Sequence, residues 1–470
     1  EKNKKFLEIG AVIPKGILLM GAPGTGKCVA GNTMIVTSKG IIAIQDVPKY
    51  FCVNQDNTVE GLNIVTLDEK EGVLKTAAAS HWYCLGEQKT LSIKTDSGIS
   101  IEGTPEHPLI VVDKETGFFK FKRIEEIKEG EWLAVGSDTQ SFGSHTRIPS
   151  PDIAYLMGVL TGDGCLTIKD RVMLSTADKE ILERVQKILS SHFGVHLSKS
   201  SGKYDYELRN VQVKETLISW GLGETYARHK RVPDWISMAP KEYICQFIRG
   251  LFDTDGTVEK RGSISISSSS RSLVDSIQFM LLNLGIVARS YERKKKYNGQ
   301  MQYYIQIYGD FVQNFKDQIG FSVDRKMSRL EAVCLKQRNT NINLIPLQSH
   351  LIGKVWKEAI ASTSVSLNRA FYAQSPYKNV KRYMSGERTP SQHGMNVFIE
   401  NAIALAPSVS IMPEVAHLRN LSSGKFFFTQ VKNINKLYNK VYDLTVPITH
   451  NFIANGLINH NTLLARAVAG

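Results

Sequence analysis

No run of apolar residues in the 470-residue chain approaches the roughly 20 needed to span a bilayer. The opening Glu1-Lys2-Asn3-Lys4-Lys5 is not followed by the apolar core of a signal peptide, so a water-exposed protein without membrane contact is expected. Cysteine is scarce. Cys28, Cys52, Cys84, Cys165, Cys245 and Cys334 are scattered without a CxxC pair, which excludes a disulfide framework or a zinc site read from spacing and predicts a reducing, cytoplasmic setting. Cys52 and Cys84 stand in apolar, strand-like surroundings and are expected in a core. Negative charge is also in short supply, with 45 acidic against 58 basic residues and a net charge of +13. That balance suggests nucleic acid only once it is located along the chain. Length predicts roughly three domains.

The first informative segment is an apolar strand, Ile17-Leu18-Leu19-Met20, running into Gly21-Ala22-Pro23-Gly24-Thr25-Gly26-Lys27. It is a phosphate-binding loop without its last residue. In GxxxxGK[ST] the glycines admit backbone N–H groups to the phosphates, the lysine reaches the outer phosphates and the hydroxyl holds magnesium. Position 28 is cysteine, a poor ligand for a cation that prefers hard oxygen. The missing hydroxyl stands at the far end, in Thr462-Leu463-Leu464-Ala465-Arg466-Ala467-Val468-Ala469-Gly470. Joining Lys27 to Thr462 writes a sequence that resembles the nucleotide-binding core of AAA+ ATPases, most of all FtsH-type membrane-bound metalloproteases. That resemblance implies that Gly21, Gly24, Gly26, Lys27 and Thr462 bind ATP and magnesium only after joining, in a membrane-associated host. A working P-loop ATPase or ATP-dependent zinc metalloprotease is the competing reading; it belongs to the joined host and not to this chain, where Walker B and HExxH motifs are absent.

The intervening residues 28–461 begin with Cys28 and end in Asn459-His460-Asn461. Self-excision needs a nucleophile beside each bond to be broken, and a thiol is the best of these. Cys28 can attack the Lys27 carbonyl, Thr462 can accept the acyl group, and Asn461 can release itself by cyclisation, with His460 beside it as proton donor or carbonyl polariser. This arrangement resembles the intein family. Thr104-Pro105-Glu106-His107 matches its TxxH block, implying that Thr104 and His107 stabilise and protonate the bond before Cys28. Val441-Tyr442-Asp443-Leu444 and His450-Asn451-Phe452 match the block before the second junction, implying that Asp443 assists the first steps and His450 supports asparagine cyclisation. The fold implied is multidomain: a split all-β Hint-type splicing domain, from residues 28–149 and 425–461, flanked by host fragments 1–27 and 462–470. Splicing needs no cofactor.

Ser137 to Pro151 is rich in Ser, Gly, Thr and Pro and marks a boundary. Beyond it, Leu156-Met157-Gly158-Val159-Leu160-Thr161-Gly162-Asp163-Gly164 and Ile248-Arg249-Gly250-Leu251-Phe252-Asp253-Thr254-Asp255-Gly256 read as two apolar helices, each with a central glycine and a terminal acid. Glycines let two helices meet backbone to backbone, which would set Asp163 beside Asp255, a pair suited to divalent metal. A strand-then-helix unit recurs at the same offset, predicting pseudo-two-fold symmetry. The segments resemble the LAGLIDADG motifs of homing endonucleases of the DOD type. That resemblance implies an α+β nuclease at 150–326, monomeric, using magnesium held by Asp163 and Asp255, with Lys230 near the scissile phosphate. Its partner would be double-stranded DNA at the uninterrupted host gene. An insert that binds DNA without cutting it remains open, as does a phosphate contact or solvated face for Lys230.

Residues 327–424 are expected to form a small, mainly helical accessory domain. Val380 to Ser391 resembles part of a repressor-like helix-turn-helix, with Trp356, Leu367, Ala370 and Phe371 as helix-face residues; a helical spacer is the alternative. Residues 28–149 carry 12 basic and 17 acidic groups, and residues 150–424 carry 36 and 25. The positive charge therefore lies in the insert, where phosphates would be met.

Overall fold

A computed structural model describes residues 27–144, 146–295, 299–336, 343–363, 372, 374 and 377–461. The phosphate-loop glycines Gly21, Gly24 and Gly26, together with Thr462, Leu367, Ala370 and Phe371, lie outside them.

Short alternating runs bounded by turns make the N-terminal part all-β. Its strands are β1 (Val29–Ala30), β2 (Met34–Thr37), β3 (Gly40–Ala43), β4 (Cys52–Val53), β5 (Val59–Glu60), β6 (Asn63–Asp68) and β7 (Val73–Ala78). They are followed by β8 (His81–Thr95), β9 (Ser100–Gly103), β10 (Pro108–Val112), β11 (Phe119–Arg123) and β12 (Trp132–Gly136), with a one-turn helix α1 (Val47–Tyr50) between β3 and β4.

Helices and two small sheets follow. The helix α2 (Pro151–Asp163) starts where Ser150 accepts the Ile153 N–H and proline occupies the first turn, a position that needs no N–H of its own. Next come β13 (Gly164–Cys165), β14 (Val172–Ser175), α3 (Lys179–Phe193), β15 (Ser198–Lys199), β16 (Asp205–Leu208), α4 (Val211–Ser219) and α5 (Asp234–Ser237). The pattern then recurs in α6 (Lys241–Asp255), β17 (Gly256–Val258), β18 (Ile264–Ser268), α7 (Arg271–Asn283), β19 (Ala288–Lys294), β20 (Met301–Ile307) and α8 (Phe311–Gln318). The two sheets have matching orders, β13-β14-β16-β15 and β17-β18-β20-β19, so the sequence repeat is a repeat of topology.

Helices α2 and α6 cross through their glycines. A Cβ on Gly158 would stand 2.1 Å from the Phe247 carbonyl oxygen, and one on Gly250 would stand 2.3 Å from that of Tyr155. Beside this contact the Tyr155 hydroxyl donates to Asp253 at 2.9 Å, and the Arg184 guanidinium lies 3.6 Å over the Tyr155 ring.

Among the described residues the further α-helices are α9 (Asp324–Cys334), α10 (Ser349–Ala361), α11 (Val380–Met384), α12 (Gln392–Leu405) and α13 (Pro413–Ser422). Trp356 is buried in α10 against Tyr377 and Phe398, and Val380 and Tyr383 of α11 are buried too. The inward face of the Val380–Ser391 stretch is thus committed to helix packing.

The chain then returns to the first sheet. The 20-residue β21 (Phe426–Thr445) pairs with β12 at one end, through Leu133↔Thr429, and with β8 and β1 at the other, through Trp82↔Leu444 and Val29↔Tyr442. A hairpin of β22 (Asn451–Ala454) and β23 (Leu457–His460) closes the 13-stranded sheet. Its two-residue turn is Asn455-Gly456, at φ 48° and 83°, the left-handed pair that a tight hairpin requires and that asparagine and glycine tolerate. The expected burial of Cys52 and Cys84 is corrected: both are exposed. Cys52 belongs to the isolated two-strand ribbon β4–β5, and Cys84 to the part of β8 where most residues stay open to solvent, so an apolar neighbourhood in sequence did not become a core.

Candidate functional site

The two ends of the segment meet through strand pairing. Val29 of β1 pairs with Gly103 of β9 and with Tyr442 of β21, and this places Cys28 at the head of the loop that carries Thr104 and His107. The Cys28 N–H, part of the bond to Lys27, donates to Thr104 Oγ1 at 3.0 Å, and the Thr104 N–H donates to the Cys28 carbonyl at 2.9 Å. Gly103 allows this approach, since a Cβ there would lie 2.8 Å from the Cys28 oxygen. Cys28, Thr104, His107 and Asp443 are all buried. Burial first, then the Asp443 charge, pushes the Cys28 thiol up to about 12, so it rests protonated and needs a base. Asp443 itself accepts the Leu444 N–H at 2.8 Å.

His107 is fully enclosed. Desolvation brings its pKa down to about 4, against opposing hydrogen-bond contributions from Asn459 and the Lys27 carbonyl. Its Nε2 lies 2.7 Å from Asn459 Oδ1.

At the other junction, His460 Nδ1 donates to the Asn461 carbonyl oxygen at 2.6 Å, drawing electron density from the carbon that a cyclising side chain would attack. The fully buried Asn461 is held by its N–H to the His450 carbonyl at 2.9 Å and by Nδ2 to the Val446 carbonyl at 3.5 Å. His450 adopts φ 54°, and its ring stacks 6.5 Å from that of His460. Burial lowers the His460 pKa. Lys27 acts electrostatically on both His107 and His460, so the junction-side groups share one neighbourhood.

A second cluster forms where α2 and α6 end. Gly162 sits 3.3 Å, by its would-be Cβ, from Asp255 Oδ2, and desolvation followed by the Asp163 charge pushes Asp255 up to about 6. The Asp163 carboxyl is raised as well, chiefly by desolvation. Both side chains still reach solvent, which screens these shifts. Lys230 Nζ donates to the carbonyls of Gly162 at 2.6 Å and Gly164 at 3.1 Å. The buried Lys326 does the same for α6, donating to the carbonyls of Phe252 at 3.1 Å and Asp253 at 2.5 Å. Each lysine opposes the upward shift of both acids. Among the described residues no cluster of three or more His, Cys, Asp or Glu suits a metal; Asp163 and Asp255 bring two carboxylates to one place, the hard oxygen type that a divalent cation prefers.

Sequence reasoning missed Asn459 and Lys326. Lys326 falls 96 positions after Lys230, close to the 92 positions that separate Asp163 from Asp255, and the repeat was the signal that would have found it. Nothing in the sequence marked Asn459, because its partner His107 is 352 positions away.

The family description "Intein splicing domain" matches residues 42–461. The replicative DNA helicase DnaB of Synechocystis sp. is 25% identical over 469 residues, covering 93% of this chain and 49% of the relative. The replication factor C small subunit of Methanocaldococcus jannaschii is 26% identical over 366 residues, covering 75% of this chain and 19% of the relative. The chain thus spans about half the length, or less, of these relatives. Among solved structures, a Ssp DnaB mini-intein variant is 20% identical over 23% of this chain and 61% of its own, with TM-score 0.20. Variants of the homing endonuclease I-DmoI are 18% identical over 36% of this chain and 94% of their own, with TM-score 0.29. No helix among the described residues is long and apolar enough to cross a membrane. With the match running over nine-tenths of the chain and ending at Asn461, the protein belongs to the intein splicing-domain family.

Proposed function

We propose that residues 28–461 excise themselves and join Lys27 to Thr462. Cys28 Sγ attacks the Lys27 carbonyl, the C–N bond breaks, and a thioester forms. The Thr462 hydroxyl takes over the acyl group. Asn461 Nδ2 then attacks its own carbonyl, releasing the Thr462 amine and leaving a succinimide, and an oxygen-to-nitrogen shift completes the new peptide bond. The observation that carries this reading is the His460 Nδ1–H on the Asn461 carbonyl, in the same buried neighbourhood as the Thr104-bound amide of Cys28. Incubating the intact chain in reducing buffer should yield a 434-residue product by mass spectrometry. An intact chain with neither junction cleaved would refute the reading.

The second activity we infer is cleavage of duplex DNA by the insert. Asp163 and Asp255 would hold magnesium, which when bound neutralises phosphate charge and acidifies water. Lys230 and Lys326 would keep the acid pair ionised and add positive charge near the phosphate. The paired acids at the glycine crossing support this reading, and the basic surplus of residues 150–424 suits a phosphate backbone. A plasmid carrying the uninterrupted host site should be cut with magnesium by the wild type and not by Asp163→Ala; intact plasmid with both would favour an insert that only binds. The stretch after α10 would add DNA contacts through exposed Lys381 and Arg382. The flanks, which would rebuild the phosphate loop of an FtsH-like ATPase, belong to the host in this proposal, and so does ATP binding.

A further inference from the structure

Asn461 is held by two carbonyls of one short turn, residues 446–450. Its N–H donates to His450, and its Nδ2, the nitrogen that would attack, donates to Val446. The Val446 carbonyl also closes the turn by accepting the His450 N–H at 3.0 Å. This turn is an unfavourable one. His450 stands at φ 54°, where a Cβ crowds the backbone and glycine would be the usual choice, so a contact from outside the turn must hold it.

The next residue supplies that contact. Asn451 is fully buried, and its side chain reaches the backbone of β6. Its Oδ1 accepts the Leu67 N–H at 2.7 Å, and its Nδ2 donates to the carbonyls of Leu67 at 2.9 Å and Thr449 at 2.8 Å. The Glu69 carboxylate, just past the end of β6, shares in the hydrogen bonding of this amide. Only one orientation sets the oxygen against a donor and the nitrogen against acceptors, so the amide is fixed. The Thr449 carbonyl and the His450 N–H belong to one peptide group. Asn451 holds one side of that plane and Val446 the other, while the following peptide is held where Asn451 pairs with His460 in the β22–β23 ladder. With both flanking planes fixed, His450 cannot relax to negative φ.

We propose that Asn451 is a positioning residue for the second junction: its side chain pins the Thr449–His450 peptide to β6, and this sets the two carbonyls that aim Asn461 at its own backbone carbon. The proposal rests on the splicing reading above and adds no chemical step to it. The family resemblance gives a role to His450, and the geometry gives one to its neighbour. Leu67 lies 384 positions before Asn451, so the second junction takes its shape from a strand of the N-terminal piece. Release at Asn461 therefore requires β6 to be in place.

The test uses the full chain. With Cys28→Ala in every arm the first junction is silent, and release of residues 462–470 is followed by mass spectrometry. Asn451→Ala should slow this release about tenfold, the equivalent of one hydrogen bond. Asn451→Asp keeps the acceptor for the Leu67 N–H but removes the donor to Thr449, so it should be as slow; release at the parent rate in either variant would overturn the proposal. Thiol cleavage after Lys27, measured with Asn461→Ala in place of Cys28→Ala, separates positioning from folding. It should be unchanged by Asn451→Ala, and an equal loss at both junctions would make Asn451 merely structural and refute the assignment. Amide exchange in a chain carrying both Cys28→Ala and Asn461→Ala needs no cleavage at all. There Asn451→Ala should speed exchange of the position-461 amide at least tenfold, and an unchanged rate would overturn the cradle. No release from the Cys28→Ala parent would instead count against the splicing reading, with the exchange result still deciding the role of Asn451.

Discussion

Substituting Gly158 by alanine tests the helix crossing on which the acid pair depends. The new methyl carbon would lie 2.1 Å from the Phe247 carbonyl oxygen, 2.9 Å from its carbon and 3.0 Å from the Leu251 nitrogen. All three are backbone atoms, so no side chain can swing aside. Ordinary contact begins at 3.4 Å, so α2 and α6 must part by about 1.3 Å. A gap of roughly 0.5–1 Å already forfeits a quarter to a half of the dispersion between facing atoms, and overpacking of this kind costs about 1–3 kcal/mol. Because the obstacle is backbone, the upper end applies. About 3 kcal/mol lowers the folding equilibrium of the insert about a hundredfold and its urea midpoint on the order of 1 M. The assay is urea unfolding of the full chain carrying Cys28→Ala and Asn461→Ala, read by amide exchange in α2 and α6. Gly353→Ala is the control. It lies inside α10 with nothing within 4 Å of its would-be Cβ, so alanine there should stabilise by about 0.5–1 kcal/mol. If Gly158→Ala unfolds at the wild-type midpoint or above it, the close crossing is wrong.

Four further outcomes are expected. Asn461→Ala should stop release at Thr462 while dithiothreitol still cleaves after Lys27; loss of both would count against separate roles for the two junctions. The buried His107 binds a proton less readily when folded, with its pKa at about 4 against 6.5 unfolded, so stability is present above pH 6.5 and is lost as pH falls toward 4. The loss should approach about 3 kcal/mol, and urea titrations at pH 7 and pH 5 that coincide would contradict it. Asp163→Asn removes a like charge, so the Asp255 carboxyl should titrate below the wild-type midpoint of about 6 by carbon-13 NMR; no movement would separate the two acids. Lys326→Met leaves the Phe252 and Asp253 carbonyls without their ammonium donor and should cost about 1–3 kcal/mol, measured as a lower urea midpoint of the insert.

Covalent necessity made much of this protein legible in its sequence. In the splicing proposed above, a nucleophile must adjoin the bond it attacks, so Cys28 and Asn461 stand at the ends of the segment with His460 beside the second, an order that no folding can change. Helix periodicity and small residues were equally local, and they announced the α2–α6 crossing through Gly158 and Gly250 before any coordinates. The same local reasoning failed for Cys52 and Cys84, because apolar neighbours along a strand do not say whether a second layer covers it.

Tertiary structure alone decided the protonation chemistry. A thiol pushed up to about 12 and an imidazole brought down to about 4 are products of burial, which depends on strands 76 and 352 positions apart meeting around one loop. Nothing in the sequence names the partner of Asn459, and the repeat that points to Lys326 does not say which carbonyls it reaches. Their roles come from hydrogen bonds whose geometry exists only when β23 lies beside β10 and α9 lies against the end of α6. The sequence determined which reactive groups this protein has, since bonds along the chain fix their order. The fold decided which of those groups hold a proton, since charge depends on the solvent that packing removes.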